Sequence, residues 1–182
     1  MILPSALLAA RKVFVAIRSR VVKFVMSSTQ LKPGFEKVFT VTDYYDGPRQ
    51  GIANYQGLPH FYECVFSEQA QDYSNLYRLS PVGHEVFQLA LEDWAIWKRW
   101  ERAFHAGETN GDTHPALPED RDRHLVIKST LDEQLKTDLE RCILRVGAFL
   151  NAGTGVKTRD VLVDLLVRWS EPNGNSDSIW AD

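Results

Sequence analysis

A chain of 182 residues with 44% hydrophobic and 25% charged side chains is long enough for one domain with a real core and too short for two domains of ordinary size. Its formal net charge of −3 lacks the basic excess of a protein held mainly by nucleic-acid phosphates, so no nucleic-acid partner is expected. Two cysteines, Cys64 and Cys142, are too few for a disulfide framework and lack metal-ligand spacing, which favours free thiols in a cytoplasmic protein.

Residues 1–33 read as a basic, moderately amphipathic N-terminal extension. No acidic residue occurs from Met1 to Phe35, whereas Arg11, Lys12, Arg18, Arg20, Lys23 and Lys32 all lie there. Helical spacing puts Leu7, Ala10, Phe14, Ile17, Val21 and Val25 on one face. The charges follow the apolar "MILPSALLAA", unlike those of a secretory signal, and arginines inside the stretch exclude an ordinary membrane span. Three readings remain: a surface-seeking helix over residues 1–25 on anionic lipid, a transit-like presequence, or an upstream extension whose natural start is Met26. The third is favoured because the Ser/Thr-rich "SSTQLKPG" follows Met26 and the globular pattern begins only after it.

Residues 34–170 read as a single α+β domain. "FEKVFTVTDYY" alternates apolar and polar residues with β-branched Val38, Thr40 and Val41, and predicts a strand. "DGPR" and "QGLP" supply turns, "QGIANY" is a short strand, and "HFYECVF" is another, with His60, Tyr62, Cys64 and Phe66 on one face. The polar "SEQAQDYSN" predicts a loop before the short "LYRL". Ser80 as N-cap, Pro81 at the first helical position and Glu85 in the opening turn predict a helix from Pro81 to about Ala106, ended by "HAGETNGD". Val86, Leu89, Ala90, Ile96, Trp97, Trp100 and Phe104 form its apolar stripe.

A second helical region follows the proline-punctuated "THPALPEDRDRH". Pro118, Glu119 and Asp120 suit a first turn, Thr130 and Glu133 have capping-box form, and Leu131, Leu135 and Leu139 recur at helical spacing. "CILRVGAFLNAG" and "DVLVDLLVRW" predict strands, since Gly147 weakens a helix and "NAGTGVKTRD" between them has the composition of a long hairpin loop. Residues 171–182 form a polar tail in which Trp180 alone invites docking.

The sharpest chemical anomaly is Asp93, which lies inside the apolar helical stripe between Leu89 and Ala90 on one side and Ile96 and Trp97 on the other. A carboxylate there must be paired, hydrogen-bonded or protonated. Arg49 is the expected partner, because its planar fork grips a carboxylate in bidentate geometry. Asp93 and Arg49, with His60, Tyr45, Tyr62 and Trp97, make up the candidate pocket; Asp93 there is a structural anchor, a general acid or base, or a ligand-orienting carboxylate, unless the helix is rotated and leaves it in water. No nucleophile motif, phosphate loop or metal-ligand pair is present, so neither cofactor nor metal is expected. Trp94, Trp97 and Trp100 interleave with Lys98, Arg99 and Arg102, but the tryptophans share the core-facing stripe, which favours packing over base stacking.

The blocks "TDYYDGPRQGIANYQGLPHFYE", "LEDWAIWKRWERAFHAG" and "THPALPEDR" resemble those of a group of uncharacterised bacterial proteins. The resemblance spans roughly Phe39 to Arg123 and implies no activity, cofactor or catalytic residue. The expected architecture is a small antiparallel sheet, barrel-like in one reading, packed against a tryptophan-rich helix with a second helical region. The expected function is a non-catalytic binding or interaction module for a protein or small-molecule ligand. Two alternatives stand beside it: a small enzyme using Asp93 with His60 or a tyrosine, and a membrane-recruited protein acting through residues 1–25.

Overall fold

A computed structural model describes residues 32–151 and 164–172 of the chain. The readings of residues 1–25, of Met26, of the loop after Asn151 and of Trp180 lie outside the described residues. Six strands, β1 (Glu36–Tyr44), β2 (Pro48–Tyr55), β3 (Leu58–Ser67), β4 (Asp72–Pro81), β5 (Ile143–Asn151) and β6 (Leu165–Ser170), form a closed antiparallel barrel in chain order. Two helices, α1 (His84–Ala106) and α2 (Arg121–Gln134), are inserted between β4 and β5. The fold is therefore α+β. Among the described residues no helix is long and apolar enough to cross a membrane.

The first three strands follow from alternation and turn chemistry. Tyr55 pairs with Leu58, leaving Gln56 and Gly57 as a two-residue turn in which both φ angles are positive, 53° and 77°. Glu36 on β1 secures that turn by accepting from the backbone N–H groups of Gln56 and Gly57 at 2.8 and 2.9 Å. The barrel closes where Glu36 pairs with Val167 and Lys37 with Leu166, a short seam that joins the two terminal strands.

A small six-stranded barrel has an interior that side chains must fill. Here Tyr62, Tyr77, Phe149 and Trp169 fill it, with ring centroids 5.4–6.3 Å apart and steeply inclined planes. Every polar tip finds a carbonyl: Tyr62 donates to Thr40 O, Tyr77 to Pro48 O and the Trp169 indole to Asn54 O. Burial pushes the Tyr62 and Tyr77 hydroxyls well above the ordinary phenol range, so both stay protonated donors.

Three local expectations are corrected. The first helix begins at His84 with Gly83 as N-cap, because Ser80 and Pro81 belong to β4, where Pro81 pairs with His60 and the Ser80 hydroxyl accepts the Asp138 N–H at 2.9 Å. The loop after β3 is shorter than expected, since Asp72 to Asn75 already lie in β4. Thr130 and Glu133 do not open a helix: both lie inside α2, the Thr130 hydroxyl donates to Val126 O, and Leu139 beyond the helix is 67% exposed.

Candidate functional site

The two helices meet through a compact apolar contact and a row of charge pairs. Ile96 of α1, Ile127 of α2 and Ala116 of the connection between them are buried together, flanked by Leu89 and Leu131. Beside this contact Arg123 reaches Glu92 with two bonds of 2.7 Å, and Arg99 reaches Asp120 at 2.9 and 2.7 Å. These guanidinium clamps hold the Glu92 and Asp120 carboxyls below the usual carboxylate range through hydrogen bonding.

One position along each helix from the Glu92–Arg123 clamp stands the pair Asp93–His124. His124 Nδ1 lies 2.7 Å from Asp93 Oδ1, and because a carboxylate only accepts, Nδ1–H is the donor. His124 is 8% exposed, and no described residue bonds its Nε2. The clamp sets the register of α2 on α1, and that register brings the imidazole to the carboxylate.

The pair opens onto a cavity of about 530 Å³ between β1, α1, α2 and the connection joining the helices. Ala90, Asp93, Trp94 and Trp97 line it from α1, which is one helical stripe, and His124, Lys128 and Leu131 from α2, which is another. Thr40, Val41, Thr42 and Tyr44 supply the β1 wall, and His114 and Pro115 stand at the connection. Trp94 and Trp97 are stacked at 4.5 Å with planes 13° apart. Trp100 fixes the connection: its indole N–H donates to the Thr113 hydroxyl at 3.0 Å and its ring meets His114 edge-on at 4.5 Å. The His114–Pro115 peptide bond is cis.

Of the residues expected to form the pocket, Asp93 and Trp97 share this cavity and the other four lie elsewhere. Asp93 meets His124, not Arg49. Arg49 bonds Asp46 at 3.2 Å and stacks on the rings of Tyr73 and Tyr45, 3.7 and 4.9 Å from their centroids. Tyr45 there is 80% exposed on the turn after β1. Tyr62 is sealed inside the barrel, and His60 on β3 is 2.9 Å from Leu58 O through Nδ1, with Tyr55 against its ring.

Sequence reasoning missed His124. A signal for it existed: the acidic pair Glu92–Asp93 and the basic pair Arg123–His124 are complementary neighbours on two consecutive helices. Among the described residues no cluster of three His, Cys, Asp or Glu side chains has metal-binding geometry. The cavity offers apolar and aromatic walls, a carboxylate-oriented imidazole and, at its rim, an ammonium group. Such an arrangement can bind an organic molecule, orient one polar group of it, and accept or return a proton there. Compared with family models, curated proteins and solved structures, the chain gives no match.

Proposed function

We propose that the protein is a cytoplasmic binding module for a small organic molecule, held in the cavity between β1, α1 and α2. One observation carries this reading: an imidazole, buried and oriented by Asp93, lines a cavity of ligand size with its Nε2 unpartnered by any described residue. A purely structural Asp–His pair has no need of an adjoining cavity of about 530 Å³. The free thiols Cys64 and Cys142 support a reducing compartment.

A ligand-observed NMR screen of the full chain against flat heteroaromatic fragments tests the reading. Hits are expected to lose at least about tenfold in affinity in Ala90→Leu and in Leu131→Phe, which fill the cavity from opposite helices. Fragments that bind both folded variants as well as they bind the unaltered chain would overturn it.

The same pair supports a second reading. A carboxylate on Nδ1 holds the imidazole in the tautomer whose Nε2 accepts a proton, as a general base requires. On that reading a bound compound is recovered chemically altered, and Asp93→Asn slows the conversion by about 10²–10⁴-fold. Recovery of every bound compound unchanged leaves the binding module alone.

A further inference from the structure

We propose that the pocket takes a flat aromatic molecule carrying one anionic oxygen group, with its ring against the Trp94–Trp97 wall and its oxyanion on His124 and Lys128. The inference rests on the small-molecule reading of the cavity and adds the chemical class of the ligand.

The cavity joins apolar surface to polar groups. Val41, Ala90, Pro115 and Leu131 give apolar surface, and the stacked indoles add a rigid, polarisable wall suited to an aromatic ring. A small polar metabolite would leave most of this surface unmatched. On α2, His124 and Lys128 are four residues apart and therefore on one face, one turn from each other, while Thr40, Thr42 and Tyr44 on β1 and His114 at the connection place further polar groups on the other walls.

The charges favour an anion over a cation. The titratable groups lining the cavity are Asp93 from α1, His124 and Lys128 from α2, His114 from the connection and Tyr44 from β1. Among the described residues Asp93 is the one carboxylate lining the cavity, and it is engaged by His124 Nδ1 at 2.7 Å. A ligand ammonium would compete with that imidazole for the carboxylate and would face Lys128. A ligand oxyanion meets the Lys128 ammonium and, one turn before it, the His124 ring, whose Nε2 donates to an anion when the ring carries a second proton. Lys128 Nζ is held by Asp132 at 2.6 and 2.8 Å, an exposed pair whose hydrogen bonds exchange readily with a ligand carboxylate.

Isothermal titration of the full chain with naphthoate, neutral naphthalenemethanol, cationic naphthylmethylammonium and ring-free acetate tests the class. Naphthoate is expected to bind at least about tenfold more tightly than naphthalenemethanol, the discrimination typical of one charge-assisted hydrogen bond, with acetate giving no heat at the same concentrations. Lys128→Gln and His124→Gln are each expected to weaken naphthoate at least about threefold and leave naphthalenemethanol unchanged; the exposed lysine keeps the test valid if the histidine variant fails to fold. Equal binding of naphthoate and naphthalenemethanol, or tighter binding of the cation, overturns the oxyanion inference and leaves the pocket reading standing. If none of the three ring compounds binds, both fall.

Discussion

A Cβ added at Gly147 would stand 2.8 Å from the Trp169 ring and 2.9 Å from Tyr77. In the sequence this glycine argues only against a helix; in the barrel its missing side chain is the space that two interior rings occupy. Gly147→Ala is therefore expected to lower stability by about 1–3 kcal/mol in urea unfolding, the usual cost of overpacking. Cys64 makes a similar point about chemistry. Its thiol donates to Ser74 O at 3.0 Å, and burial pushes it above the ordinary thiol range, so it is a packing residue. In a Cys142→Ser background, Cys64 is expected to resist an aromatic disulfide reagent at pH 8 until the chain is unfolded; rapid labelling of folded protein would contradict its placement. Asp93 is the residue most legible in advance, because a carboxylate in an apolar stripe announces a partner. Its partner was not legible, since Arg49 and His124 can each donate to a carboxylate and only packing separates them.

At the scale of elements, the position of α2 on α1 depends on Ile96, Ile127 and the two arginine clamps. Glu92 and Asp120 have their pKa values lowered in the folded state by Arg123 and Arg99. A depressed carboxyl contributes stability that is present above its unfolded pKa, about 4.3 for Glu and 3.9 for Asp, and is lost as pH falls through the folded value. Below about pH 4 the α1–α2 contact is therefore expected to weaken before the barrel does. Amide exchange at pH 3 and pH 7, corrected for intrinsic rates, should show α2 losing more protection than β2 and β3; uniform loss would refute the assignment. Helix existence is legible here and helix boundaries are less so. Ser80 and Pro81 satisfy every local rule for a helix start, yet strand pairing with β3 and the bond from Asp138 hold them in β4.

For the whole molecule, closure is the decisive event. Among the described residues the backbone pairing of β1 with β6 is at Glu36–Val167 and Lys37–Leu166, so the seam is short and the interior rings must stabilise the closed form. Trp169→Ala is expected to cost about 3–5 kcal/mol, because it removes the ring that touches Tyr62, Tyr77 and Phe149 and the bond to Asn54 O. Val126→Ser, at an exposed α2 position, is expected to stay within about 0.5 kcal/mol, and comparing the two by thermal unfolding separates core from surface. By itself the sequence determined the strands apart from the start of β4, the turns around Asp46–Gly47 and Gln56–Gly57, the tryptophan-bearing α1 and the anomaly of Asp93. These follow from side-chain period, glycine and proline geometry and the cost of burying charge, all of which act over a few residues. Closure of the sheet, the pairing of Asp93 with His124 and the cavity beside them were decided by the tertiary structure. Each depends on the register between elements far apart in the chain, and that register is set by packing of Ile96 on Ile127 and of Tyr62 on Trp169, which no local pattern encodes.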